Sequence, residues 1–276
     1  MNILIEYEYI IRPGIFIGLL FILAGIEFLI PLAQRRITRS RQWLTNITIV
    51  IIDNLTLKLF FPLLAVGIAK YADENSIGLF NLIEINYIVS VVLSLLMLDL
   101  LIYGQHLMMH KMPFFWRLHR MHHTEIGLDV TSAVRFHPIE IIISMLIKMA
   151  FVLMMGIPIA AVILFEVVLN GLALFNHSNI KVPAFLEKIL RTIVITPEIH
   201  WIHHSKFEDE TNSNYGFNLC IWDKLFGTYI DRPKVGYRDM EQGLVEFGLD
   251  KSLSLSELII SPFKEYPLLN DKNKEK

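Results

Sequence analysis

The chain predicts an all-α fold: a multi-span membrane bundle of about three spans plus a helical hairpin, with a histidine-rich helical cap on the cytosolic side. Three observations carry that prediction. Hydrophobic residues make up 54% of the 276 residues and charged ones 19%, and the mean hydropathy is +0.49, well outside the usual range of a soluble globular domain. The apolar residues fall in long runs separated by short polar joints. All ten histidines lie between residues 106 and 204.

The first run, GIFIGLLFILAGIEFLIPLA (14–33), is long enough to cross a hydrocarbon core of roughly 30 Å. Glu27 interrupts it, and a carboxylate at the lipid interface or facing the bundle accounts for that without a functional role. The acidic stretch MNILIEYEYIIRPG before it lacks the positive region of a cleavable signal peptide. The loop QRRITRSRQ follows, with Arg35, Arg36, Arg39 and Arg41. By the positive-inside rule this loop is cytoplasmic and the N-terminus lies on the other face. A second span covers Ile47 to Ala69, interrupted by Asp53, Lys58 and Pro62.

YADENSIGLFNLIEI then turns outside the membrane, and a third span, Asn86 to Gly104, returns inward with Asp99 near its inner end. Residues 105–138 are polar and carry Lys111, Arg117, Arg120 and Arg135, again a cytoplasmic signature. Ile139–Met155 and Ile159–Phe175, joined by GIP, form a hairpin that enters and leaves on one side. Everything from about Asn176 onward is then cytoplasmic, down to an expected disordered DKNKEK end. Three regions follow: membrane spans over 1–85, the chemistry-bearing domain over 86–250, and a partly disordered tail over 251–276.

The net charge of −2 gives no basic field for nucleic acid. A single cysteine, Cys220, excludes an intrachain disulfide and a cysteine-rich metal site. Metal ligands must therefore be nitrogen or oxygen, and the histidines supply the pattern. His106 and His110 stand one helical turn apart. His119 with His122 and His123 forms an H-x-x-H-H cluster, and His200 with His203 and His204 repeats it. Residues i, i+3 and i+4 share a helix face, so each cluster can aim imidazoles at one point. His137 in RFHP and His177 in FNHSN lie at similar depth on the same membrane face. One ion rarely uses more than about six ligands, so this many imidazoles point to two metals.

The motifs DLLIYGQHLMMH, FWRLHRMHHTE, RFHP, FNHSN, PEIHWIHHS and NSNYGFNLCIWDKLFGTY appear in that order from Asp99 to Tyr229. In order and spacing the chain resembles the fatty acid hydroxylase superfamily, which includes the sterol desaturases. That resemblance implies a histidine-ligated centre of two iron ions (Fe²⁺, with zinc able to replace it on purification). It also implies O₂-dependent hydroxylation or desaturation of a membrane lipid: a sterol, a fatty acyl chain or an ether lipid. Carried over by position, the ligands are His106, His110, His119, His122, His123, His200, His203 and His204, with His137 and His177 as supplements. Asp99, two turns before His106, would orient a ligand imidazole, and Asn214 and Asp223 would hydrogen-bond to ligand histidines. The chain departs from the family at Asn212, where many relatives carry Asp, and at Gln105 in YGQH.

No Gly-rich dinucleotide loop or iron–sulfur cysteine set is present in the sequence. Electrons would come from an external donor, a ferredoxin-like or cytochrome reductase system, and the setting would be a bacterial inner membrane. Two rival readings stand beside the oxygenase: an inactive relative with a structural metal site, and a metal transporter. A transporter needs ligands near the bilayer midplane, whereas these histidines gather at helix ends.

Overall fold

Regular structure is helical throughout the residues that the computed structural model describes, 7–250 and 252–265; extended backbone pairs only in three isolated bridges. Four long helices, α1 (Glu8–Leu29), α5 (Tyr87–Lys111), α7 (Pro138–Met155) and α8 (Ile159–His177), are long and apolar enough to cross a membrane. So is the segment Arg39–Leu82, which contains α2 (Arg39–Phe60) and the shorter α3 (Ala65–Glu74) and α4 (Leu79–Leu82). Phe21, Leu59 and Ile88 are 63, 81 and 71% exposed, an apolar surface of the kind a bilayer covers. The chain is an integral membrane protein.

The second span departs from its expected limits of Ile47 to Ala69. The helix begins at Arg39 and stops at Phe60, because Pro62 forces Phe61 into an extended conformation at φ −124° and ψ 111°. The chain resumes as α3, which packs on α7 and α8. The turn after α3 then meets the tip of the hairpin. Gly156 caps α7 at φ +64°, and a Cβ on Gly78 (φ +97°) would stand 2.1 Å from the Gly156 nitrogen. Gly78→Ala therefore combines a glycine-only backbone conformation with a backbone clash. We expect it to cost about 3 kcal/mol or more, read as a lowered melting temperature in detergent against wild type.

At the opposite end of the bundle sits the cap. Its main pieces are α6 (Pro113–His123), a 3₁₀ turn (Val130–Val134), α9 (Ala184–Leu190), α10 (Pro197–His203), α11 (Glu208–Thr211), α12 (Ile221–Phe226) and α13 (Leu255–Ile260). Glu27 has the structural role expected of it. One carboxylate oxygen accepts from the backbone N–H of Val130 at 2.9 Å and of Asn179 at 2.6 Å, tying α1 to the cap. The strands of chain leaving α1 and α8 exchange hydrogen bonds, Leu32 N–H to Asn179 O at 3.0 Å and Lys181 N–H to Ile30 O at 2.9 Å. Arg35 donates to Gln42 (2.6 Å) and Asp129 (2.8 Å). The arginine loop and the histidines thus occupy the same end of the bundle.

The region after residue 250 is not a separate tail where it is described. Arg120 donates to the carbonyls of Ser261 (2.6 Å) and Lys264 (2.7 Å), and Arg117 to that of Pro262 (2.6 Å), so α13 and the turn after it pack on α6. DKNKEK lies outside the described residues.

Candidate metal centre

Local sequence rules place most of the histidines on helices with defined starts; His204 directly follows α10 and His137 directly precedes α7. Asn86 caps α5 by accepting from the N–H of Ile88 and Val89, and α5 runs on through His106 and His110 to Lys111. Pro113 opens α6, where its missing N–H is not needed. Thr196 caps α10 and Pro197 opens it. His177 is the last residue of α8.

Nine histidines converge into two groups, His106, His110, His119, His123 and His203 in one, His122, His177, His200 and His204 in the other. Within each group the ligand atoms lie within 4.8 Å of one another, and every ring is buried. The two H-x-x-H-H clusters are shared in opposite senses. His119 and His123 enter the first group and His122 the second; His200 and His204 enter the second and His203 the first. The i, i+4 pair shares a face while the remaining histidine points to the side. Each cluster therefore reaches both groups.

The hydrogen bonds fix which ring nitrogen faces inward. His106 Nδ1 lies 2.7 Å from Tyr215 O, His203 Nδ1 2.6 Å from Ser213 O, and His177 Nδ1 2.8 Å from Ala173 O. His122 Nδ1 lies 3.3 Å from Arg135 O, and His119 Nδ1 2.7 Å from Glu140 Oε1. Carbonyl and carboxylate oxygens only accept, so these Nδ1 atoms carry the protons and each Nε2 presents a lone pair. Yet His106 Nε2 and His119 Nε2 stand 3.1 Å apart, and His122 Nε2 and His177 Nε2 3.0 Å apart. Lone pairs at that separation repel one another unless a cation lies between them. Buried nitrogens without any partner add to this: both of His110, Nε2 of His123 and His203, and Nδ1 of His200 and His204. Buried polar atoms are rarely left so. The donor set fits metal ions, one in each group.

Burial, reinforced by the neighbouring imidazoles, holds His122, His123, His200 and His204 well below the ordinary 6.5, and burial holds His203 down at about 3. The rings are neutral at pH 7, as ligands must be. The sign of the linkage follows. Above about pH 6.5 these rings are neutral in both folded and unfolded chains. As pH falls from 6.5 toward 3, the unfolded chain takes up protons that the folded one refuses, and stability drops. We expect the melting temperature of chelator-treated protein to fall steadily below about pH 6.5, and a flat profile from pH 7 to 5 would contradict this.

The structure does not bring His137 into either group. It caps α7 instead, with Nδ1 accepting from Ile139 N–H and Nε2 donating to Ile259 O, both at 3.1 Å, so neither nitrogen is spare. Nor does Asp99, Asn214 or Asp223 touch a histidine. Asp99 accepts from Trp222 Nε1 at 2.8 Å and Leu219 N–H at 3.3 Å. Asn214, at φ +49°, joins Ile199 O and both backbone groups of Ile230. Asp223 accepts from Tyr215 N–H (2.7 Å), Gly216 N–H (2.8 Å) and Thr228 Oγ1 (2.6 Å). It thereby steadies the segment whose Tyr215 carbonyl holds His106, one residue removed from the role expected of it.

The acceptor that sequence reasoning missed is Glu140, buried in the first turn of α7. Its signal was the carboxylate in PIEIIISMLI, alone in an apolar run three residues after His137. Aromatic rings close the surroundings: Phe136 stacks on His122 at 4.5 Å, Trp116 lies 4.9 Å from His110, and Phe217 4.9 Å from His106.

Comparison with known proteins points the same way. A family model described as fatty acid hydroxylase matches residues 91–228, half of the chain. Ornithine lipid hydroxylase OlsE of Rhizobium tropici is 32% identical over 150 residues, which cover 54% of this chain and 44% of that protein. Alkylglycerol monooxygenase of Xenopus tropicalis is 30% identical over 151 residues, 52% of this chain and 32% of that protein. Fatty acid hydroxylase vlmA of a Lecanicillium species is 27% identical over 162 residues, 54% and 44% of the two chains. The chain spans less than half the length of these curated relatives, and no solved structure matches it. Nine buried histidines in two metal-sized groups lie on, or within, the stretch that the family model matches, and the chain belongs to the fatty acid hydroxylase family.

Proposed function

We infer that the protein is a membrane-bound, O₂-dependent oxidoreductase that hydroxylates or desaturates a C–H bond of a lipid, with two iron ions held by the two histidine groups. One observation carries this reading: Nε2 lone pairs of rings already fixed through Nδ1 face each other at 3.0–3.1 Å, the His106–His119 pair beside a cavity. His106, His110, His119, His123 and His203 would hold one ion, and His122, His177, His200 and His204 the other. Bound iron would supply activation of O₂ toward an unreactive C–H bond. The relatives' names include lipid hydroxylases and monooxygenases, which supports a lipid substrate and O₂.

The chain's own residues do the rest. Glu140 and the Tyr215, Ser213, Arg135 and Ala173 carbonyls hold five rings by Nδ1–H, which fixes their orientation and raises the basicity of Nε2. A cavity of about 310 Å³ reaches His106 and His119 and has apolar walls at Ile102, Met109, Ile141 and Met145. Such walls hold an alkyl chain and exclude water. A second, apolar groove of about 800 Å³ runs along α5 past Leu100, Gly104 and Met108 to Phe151. Gln105 borders both spaces, its amide bonded to Ser144 Oγ at 2.7 Å. A lipid chain would pass from the bilayer along this groove, since an apolar chain gains nothing by entering water. The histidine end would face the cytoplasm, as the arginines around it favour, in a bacterial inner membrane. An external ferredoxin-like or cytochrome reductase system would deliver electrons there.

The test is Mössbauer spectroscopy with metal analysis on protein purified anaerobically from cells grown on iron-57. Two coupled irons per chain support the reading. A single zinc or no metal in folded protein would turn it to an inactive relative with a structural site.

A further inference from the structure

Seven ionisable side chains line the inner cavity, and six of them have partners within the protein. Glu166 accepts from Lys148 at 2.8 Å and pairs with Arg12, which also binds Glu8 at 2.6 Å. His119 and Glu140 hold each other at 2.7 Å, and His106 is held by Tyr215 O. Asp53 is the exception. It is 4% exposed, and among the described residues it forms no hydrogen bond and no ion pair. Its position is built by the helix: Val50, Asp53, Asn54 and Leu57 fall at i, i+3, i+4 and i+7 on one face of α2, and that face lines the cavity. Asn54 satisfies itself on Val50 O at 2.7 Å, but Asp53 has no such outlet.

A buried carboxyl in a membrane-spanning helix, without a partner, is costly. Glu140 also lines this cavity, and its second carboxyl oxygen, which is buried, has no partner either. Arg12 and Lys148 are engaged with Glu166 and leave no free cation to face these oxygens. Among the described residues, neither Asp53 nor the second oxygen of Glu140 has a donor beside it. The rest of the lining mixes apolar side chains with Asn54, Gln105, Ser144, Asn170 and the Glu166 ion pairs, and His106 and His119 also border it.

We propose that Asp53 is a substrate-recognition residue, accepting a hydrogen bond from a hydroxyl or amide N–H carried by an otherwise apolar chain in this cavity. The proposal rests on the lipid-oxygenase reading and narrows its substrate class to chains bearing a hydrogen-bond donor, as against plain hydrocarbons or fully capped ethers. A site built around a buried acceptor rejects an analogue without the donor, because the acceptor then stays unpaired.

Binding of tritiated 1-dodecanol and tritiated 1-methoxydodecane to the detergent-solubilised full chain, read by scintillation proximity, tests this without metal or turnover. Its failure is therefore distinguishable from failure of the oxygenase reading, which the iron measurement decides. Wild type should bind the alcohol at least about tenfold more tightly than the methyl ether. Asp53→Asn, whose amide oxygen still accepts, should keep that preference, and Asp53→Leu should abolish it while leaving ether binding unchanged or tighter. Dodecanamide as competitor separates the two donors: displacement better than by unlabelled alcohol identifies an amide, and weaker displacement a hydroxyl. Equal binding of alcohol and ether by wild type overturns the proposal, even if Asp53→Leu fails to fold. So does an undiminished preference in a folded Asp53→Leu protein.

Discussion

His200→Ala should leave the protein folded, remove about one metal ion per chain, and lower turnover at least a hundredfold. The reason is the unequal size of the two groups. The second has four histidines, so losing His200 leaves His122, His177 and His204, one short of a four-coordinate shell. The first has five, so His203→Ala leaves four and should lose less metal. Loss of a partner that only steadies a ligand already costs 10–100-fold in affinity or activity, and loss of the ligand itself costs more. The fold should survive because His200 Nδ1 has no partner to strand and its Nε2 faces only other ring nitrogens. Metal analysis and melting curves on both variants check this. Unchanged metal content in a folded His200→Ala protein would remove the second group from the metal centre.

Glu140→Leu should lower metal affinity and turnover about 10–100-fold, while Glu140→Gln restores much of both. Glu140 acts through His119: its Oε1, 2.7 Å from Nδ1, fixes the tautomer that turns Nε2 inward. A glutamine carbonyl oxygen accepts the same hydrogen bond without the charge, so the difference between Gln and wild type isolates the charge. The difference between Leu and Gln isolates the hydrogen bond. Chelator competition gives the affinity independently of turnover, and in protein loaded with iron-57 the Mössbauer parameters of one site should shift in Glu140→Gln. If Leu and Gln behave alike, the residue fills space and does not position His119.

Helical periodicity made much of this architecture readable in advance. The long runs at 14–33, 86–104 and 139–175 became α1, α5 and the α7–α8 hairpin, because apolar length and an interrupting Gly-Ile-Pro are local properties. The second span was harder to delimit. Pro62 breaks the helix, and only the packing of α3 on α7 and of Gly78 on Gly156 shows where the chain goes next.

At the histidines the same division holds. H-x-x-x-H and H-x-x-H-H are one-turn spacings, so the convergence of imidazoles within each segment follows from 3.6 residues per turn. Periodicity acts within a helix and cannot tell which helices meet. The partition into five and four, with each H-x-x-H-H cluster divided in opposite senses, arises only when α5, α6, α8 and α10 pack together. Asp99 stands two turns from His106, yet α12 approaches that side of the helix and Trp222 takes its carboxylate. His137 has a ligand's chemistry, yet α13 supplies a carbonyl to its outer nitrogen and α7 an N–H to the inner one. Glu140, twenty-one residues from His119, becomes its acceptor through a contact between α6 and α7. Residue type and helical spacing named the chemistry; hydrogen bonds between segments distant in the chain chose which side chains take part in it.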